Sequence, residues 1–388
     1  MAHRLVLDYG QRPRAVQVPD GARVLRAPTP EAAPPPLGDL LTSALDRPVA
    51  AAPLEEQAAG ARRVLVVISD ATRGEPRDAL VRAVLARMSD RAAVDVAIAT
   101  GTHGPADPGA LGVGDDLWRR VRSVVNHDGA RTADLVALGT TRRGTPVEIH
   151  RAVVEADLVV ATGCIIPHYF AGYGAGIKAL FPGLGGSASV RVNHRLKEEP
   201  GARAGVVDGN PCREDLEEVA EMLPRPPFIL NAVLDDDGAA RAAVAGEVRA
   251  AFRAGAAACE PLYRVRAAPS RAVVVSGKHP VTASLYQASK LVAAAAPLLA
   301  PGGTVVVAAE CGEGTGPLDV VNRGIYEIGL RPRLPAEHRV VLVSSLPDEV
   351  VRQTYCEPAP SVEAALAGAP EPPLVLPRAG SLLCEAAA

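Results

Sequence analysis

Lysine is nearly absent from this 388-residue chain: of 41 Lys and Arg residues only four are lysines, Lys178, Lys197, Lys278 and Lys290. Generic basic duties such as surface solvation and ion pairing accept either residue, so a chain this biased toward Arg keeps Lys where a compact, deprotonatable amine is wanted. The competing explanation is codon bias with scattered leftovers. Aromatic residues are also scarce, at 3%. The core must therefore be built from Ala, Val and Leu. The six cysteines are far apart with no CxxC pair, which argues against a cysteine zinc site and a disulfide framework and favours a reducing cytoplasm. A net charge of −3 supplies no basic footprint, so nucleic acid is not an expected partner. The N-terminus has no basic region leading into an apolar stretch, so no secretory leader is expected. Two uncharged stretches, 158–177 and 291–309, approach the length of a membrane span, but prolines and glycines interrupt both, and no membrane association is expected.

What is present is the composition of a folded protein, 48% hydrophobic and 22% charged, long enough for about two domains. Short β-branched runs alternate with amphipathic helical stretches: strand Val64 to Ser69, helix Pro76 to Met88, strand Val94 to Ala99, then strands at 135–138, 158–161 and 228–234. A fresh series starts at 272, with strands at 272–276, 303–309 and 339–344 separated by helices at 284–298 and 317–329. Such alternation predicts an α/β fold of two domains, each a mostly parallel sheet flanked by helices, over 1–265 and 272–388. The polar segment Arg264 to Arg271 is the expected linker, and the cleft between domains is the expected site.

Ligands of parallel α/β sheets sit beyond the carboxyl ends of strands. Three strand ends carry Asp70-Ala71-Thr72-Arg73, then Thr100-Gly101-Thr102-His103, then the long run from Thr162 through His168 to Lys178. The segment 163–186 holds four of the chain's aromatics, Tyr169, Phe170, Tyr173 and Phe181, among many glycines, a composition suited to a flat ring bearing a phosphate; core packing is the alternative. A P-loop is excluded, because Ile177 separates Gly176 from Lys178 and Ala179 replaces the hydroxyl that would bind magnesium. A G-x-G-x-x-G turn after the first strand is also missing, which weakens a nicotinamide-dependent dehydrogenase. His194 has no second histidine three or four residues away, so a metal there needs donors from elsewhere, including a cofactor. Gln287 and Lys290, three apart, share one helix face that suits a carboxylate and a neighbouring hydroxyl.

Taken together, Asp70-Ala71-Thr72-Arg73, Gly101-Thr102-His103, Pro167 through Lys178, Asn193-His194, Tyr286 through Lys290 and Ala309 through Gly314 resemble the lactate racemase family, the nickel-pincer enzymes that racemise or epimerise 2-hydroxy acids. The resemblance runs from about 5 to 330 and does not extend to residues beyond about 345. It implies a nickel-pincer nucleotide, a pyridinium mononucleotide with two thiocarboxyl arms holding nickel, attached covalently at Lys178, with His194 as protein ligand to the metal. It further implies His103 and His168 as acid/base residues, Arg73, Gln287 and Lys290 as substrate holders, and Asp70, Thr72 and Tyr286 beside the cofactor. Cofactor-maturation proteins would be partners, and hydride transfer through a 2-keto acid would be the mechanism. Two bases are required in any case, because the two enantiomers present opposite faces. A nicotinamide-linked 2-hydroxy acid dehydrogenase and a non-catalytic small-carboxylate-binding protein stand as alternatives.

Overall fold

The computed structural model describes residues 2–89 and 91–387; the outer ends of the two expected domains, Met1 and Ala388, lie outside them. The chain forms two compact units, Pro30–Leu262, and Met1–Thr29 together with Tyr263–Ala388. Each is built on a six-stranded sheet. In the 30–262 unit the strand order is Ala240–Glu247, Phe228–Leu234, Leu158–Ile165, Arg63–Ser69, Ala93–Ala99, Ser123–Asn126. All neighbours are parallel except the first pair. The strand Leu158–Ile165 is buried along its whole length, as a central strand covered on both faces must be. One face packs Val66, Ile68, Val96, Ile98, Val160 and Leu230 against Leu80 and Val84 of the helix Arg77–Leu85.

The second sheet runs Glu357–Pro358, Arg339–Val343, Leu299–Ala308, Ser270–Val275, Leu374–Leu376, Arg23–Val24, all parallel. Its valines alternate between two cores. Val273, Val275, Val305 and Val307 face Leu285, Leu291 and Val292 of the helix Leu285–Ala295, whereas Val274, Val306 and Val375 face Leu7, Val16 and Val18.

That second core corrects the expected division of the chain. The N-terminal hairpin, Ala2–Leu7 paired with Arg14–Pro19, supplies apolar cover for a parallel sheet that needs both faces buried, and the strand Arg23–Val24 extends the same sheet. Residues 1–29 therefore belong with the C-terminal unit, not with a domain 1–265. The expected linker 264–271 is also corrected: Arg264–Ala267 forms a strand pairing in parallel with Leu383–Ala386, and Ser270 begins the next strand. The helix expected at 317–329 is present as a π-helix over Val320–Leu330. No helix among the described residues is long and apolar enough to cross a membrane.

Two histidines brace the strand ends of the 30–262 unit from behind. His127, completely buried, follows the strand Ser123–Asn126; its Nε2 lies 3.0 Å from the Gly185 carbonyl, and its own carbonyl accepts from Thr100 Oγ1 at 2.8 Å. The ring of His150 meets it edge-on at 5.8 Å. Burial pushes both imidazole pKa values below the ordinary range, and for His150 the neighbouring His127 adds to the effect. The folded protein then holds these rings neutral while the unfolded chain takes up protons below about pH 6.5, so stability falls as pH falls, by up to roughly 1.4 kcal/mol per pH unit for each ring. Thermal unfolding of the apoprotein should show a Tm that drops between pH 7.5 and 5 and drops less in His127→Asn. A flat profile in the unsubstituted chain would contradict this.

Candidate active site

Asp70 leaves the end of the strand Arg63–Ser69 and organises the first part of the site. Its Oδ1 accepts from the Thr72 backbone N–H at 3.0 Å and from the Thr72 hydroxyl at 2.5 Å. Its Oδ2 lies 2.7 Å from Nδ1 of His103, which arrives from the next strand end. Burial works to raise the Asp70 pKa, but the hydrogen bonds from His103 and Thr72 outweigh it and leave the carboxyl below its ordinary value. A carboxylate can only accept, so His103 Nδ1 carries a proton, and in the neutral ring Nε2 is the nitrogen with the lone pair. The side chain of His103 is about half exposed, at 52%. Arg73 follows in the same turn and is exposed. The turn itself is clipped by Arg77, buried, which donates to the carbonyls of Ser69, Asp70 and Arg73.

The second part is the segment after the strand Leu158–Ile165. Pro167 pairs with Tyr173 and His168 with Gly172 in a short antiparallel ladder. Gly172 turns it at φ +74°, where any Cβ would lie 2.2 Å from the Val206 carbonyl oxygen, so only glycine fits. His168 Nδ1 accepts the Ala171 backbone N–H at 3.2 Å. Beyond it, Gly176, at φ +61°, donates its N–H to Asn231 Oδ1 at 3.1 Å and opens the single turn Gly176–Ala179 that carries Lys178.

Phe170 gathers three of the expected site residues. Its ring lies 4.6 Å from that of His168 and 5.1 Å from that of His194, with Lys178 Nζ 5.5 Å from its centroid. Lys178 is enclosed enough that burial, reinforced by the positive charges of Arg213 and Arg73, pushes its pKa down to about 7. Near neutral pH a large share of this amine is therefore unprotonated and nucleophilic. His194, on the helix Ser187–Arg195, is pushed down to about 3 by burial and by Lys178 and Lys197. Its Nδ1 is buried and makes no hydrogen bond of good geometry, although the Val190 backbone one turn back acts on it weakly. The adjacent Asn193 donates to Asp215, a buried carboxylate that also binds the hydroxyls of Thr141 and Thr145, and this network anchors the helix.

The aromatics of this segment act differently from the expected ring platform. Phe170, Tyr173 and Phe181 are all buried, at 3% exposure or less. They pack the core under the site, and Tyr169, only partly buried, is the one that borders solvent. No cluster of three or more His, Cys, Asp or Glu among the described residues suits a metal ion. An imidazole that stays neutral and keeps a buried nitrogen unpaired is nonetheless a competent metal donor if the remaining donors come from a cofactor.

Tyr286, Gln287 and Lys290 belong to the other compact unit. Ser284 caps their helix, Lys290 Nζ donates to Gln287 Oε1 at 2.5 Å, and Tyr286 is exposed. The ammonium and amide thus share one face, with the amide N–H groups directed away from the lysine contact.

The family described as the lactate racemase N-terminal domain matches residues 9–205, half of the chain. The chain belongs to the lactate racemase family. Lactate racemase of Thermoanaerobacterium thermosaccharolyticum is 29% identical over 361 residues, covering 84% of each chain. That of Lactiplantibacillus plantarum is 27% identical over 364 residues, covering 84% of this chain and 85% of its own. The solved lactate racemase apoprotein from T. thermosaccharolyticum superposes with a TM-score of 0.87 at 27% identity, covering 98% of this chain and all of that one. A Thermotoga maritima protein shares the fold, with a TM-score of 0.68 at 19% identity, covering 92% of this chain and 99% of its own. As a member of this family the chain is an enzyme, an isomerase. Sequence reasoning missed Arg77, Asn210, Arg213 and Asn231, because each acts on backbone groups that leave no side-chain pattern to read.

Proposed function

We propose that this isomerase inverts C2 of a small 2-hydroxy acid, using a nickel-pincer nucleotide attached at Lys178. The observation that carries the proposal is the arrangement around Phe170: a buried amine with a pKa of about 7 and a neutral imidazole with an unpaired nitrogen, on a chain with no metal cluster of its own among the described residues. Lys178 would hold the group covalently through its amine, and His194 would donate an imidazole nitrogen to its nickel. When bound, the group supplies an electrophilic pyridinium ring that takes and returns hydride. Thr72 and Tyr286 lie beside it in this reading.

The protein's part is to hold the carboxylate and to manage the hydroxyl proton. Arg73 binds the carboxylate through its fork, with Lys290 as a point charge and Gln287 on the hydroxyl. His103 accepts the hydroxyl proton at Nε2, and Asp70 stabilises the resulting imidazolium, as a buried carboxylate does for a catalytic histidine. His168 serves the oxygen on the opposite face. Cofactor-maturation proteins are the implied partners, and the six unpaired cysteines accord with a reducing cytoplasm.

The test is to co-produce the chain with maturation enzymes, measure intact mass and nickel, and screen 2-hydroxy acids carrying deuterium at C2. Label retained in the inverted product is the expected result; washout to solvent would rule out hydride transfer.

A further inference from the structure

Asn210 and Arg213 are buried to 1% exposure or less, and beyond the effect of the Arg213 charge on Lys178 neither has a role in the reading above. Both stand at the start of the helix Pro211–Met222, where Asn210 Oδ1 accepts from the backbone N–H groups of Cys212 at 3.0 Å and Arg213 at 3.2 Å. A cap needs only that oxygen. The amide nitrogen is directed elsewhere: Nδ2 donates to the Phe170 carbonyl at 2.8 Å, and at longer range to those of Val206 and Arg203. The Arg213 guanidinium donates to the Ala171 carbonyl at 3.3 and 3.1 Å and to the Tyr173 carbonyl, with the ring of Phe252 beneath it at 3.9 Å. One helix start thus holds three carbonyls of the 170–173 loop.

The Phe170–Ala171 peptide connects this clamp to His168. In a trans peptide the C=O and N–H lie in one plane and point in opposite directions. Asn210 holds the oxygen end, and the Ala171 N–H at the other end donates to His168 Nδ1. A ring nitrogen that accepts cannot carry the proton of a neutral imidazole, so the proton sits on Nε2. His103 is the reverse, since its Nδ1 donates to Asp70.

We propose that Asn210, supported by Arg213, is a positioning residue that sets the tautomer of His168, so that the two imidazoles offer unlike groups: a bare Nε2 on His103 and an Nε2–H on His168. The catalytic meaning of this rests on the reading of His168 as an acid/base residue; the tautomer itself does not. For His168 to accept a proton, the Ala171 contact must first give way.

The experiment is long-range 1H–15N correlation on histidine-labelled apoprotein at pH 8, with the His168 signals identified by their loss in His168→Gln. The Nε2–H form is expected at His168 and the Nδ1–H form at His103. Asn210→Asp keeps the capping oxygen but removes the donor and sets a carboxylate against the Phe170 carbonyl. Arg213→Lys keeps the charge but loses the fork that spans two carbonyls. Both should move His168 to a mixture of tautomers while His103 is unchanged, and should lower kcat of the loaded enzyme about tenfold with KM within about twofold. An Nδ1–H form at His168 in the unsubstituted protein overturns the proposal, as does an unaltered Nε2–H form in folded Asn210→Asp. If Arg213→Lys does not fold, Asn210→Asp decides alone. Undiminished racemisation by His168→Gln would instead remove the acid/base reading of that residue and leave the tautomer result standing.

Discussion

Lys178→Arg is expected to abolish both covalent attachment of the cofactor and racemisation. A guanidinium stays protonated at any working pH and is a poor acyl acceptor, whereas the amine it replaces has a pKa of about 7 and is already available as a nucleophile. Placing a permanent charge where burial disfavours one also costs stability, so Lys178→Met is the necessary companion. It removes the charge, fills similar volume beside Phe170, and should leave thermal stability equal or higher. Intact mass after co-production with maturation enzymes should show the adduct in the unsubstituted chain and in neither variant. An adduct of the same mass on Lys178→Met would sink the covalent assignment, because the attachment point would lie elsewhere.

His103→Gln and His168→Gln should each lower kcat by about 10²- to 10⁴-fold, the range for loss of a positioned acid or base, with the adduct retained and KM little changed. Glutamine keeps hydrogen-bonding capacity and loses proton transfer, so the effect isolates the chemistry. The two variants should also differ in chirality. Mixed with one enantiomer at a time, each should lose the first proton transfer from one enantiomer and retain it from the other. Equal losses for both enantiomers in both variants would contradict the assignment of one imidazole to each face. Asp70→Asn, which with its amide oxygen kept on Thr72 turns an N–H toward His103 Nδ1 in place of the carboxylate oxygen, should resemble a milder His103→Gln.

Where the signal is local, the sequence places the site residues directly. Runs such as Val64 to Ile68 and Val94 to Ile98 are apolar over the length of a strand and bounded by polar turns, which is enough to place Asp70 and His103 at strand ends. The lysine bias pointed to the segment around Lys178. Other features had no local signal. The hydrogen bonds of Asp70 to Thr72 and to His103, 33 residues away, are one such feature. The composition around Phe170 and Phe181 suits either a ligand ring or core packing, and only the structure shows both rings buried. Nothing in the sequence around Asn210 says that its amide nitrogen reaches back 40 residues to a carbonyl.

By itself, the sequence determined the α/β class, the mostly parallel sheets and the residues that follow the strand ends, because hydrophobic periodicity and turn chemistry act within a few neighbouring residues. The tertiary structure alone decided that the hairpin Ala2–Leu7 and Arg14–Pro19 covers the second sheet, since any apolar hairpin satisfies the pattern and only the packed sheet shows which face is left bare. It also decided which partners the Nδ1 atoms of His103 and His168 meet and how far the Lys178 amine is from its ordinary pKa. Those properties come from backbone carbonyls, burial and charges brought together across long stretches of chain, and none of these is a property of the residue that carries them.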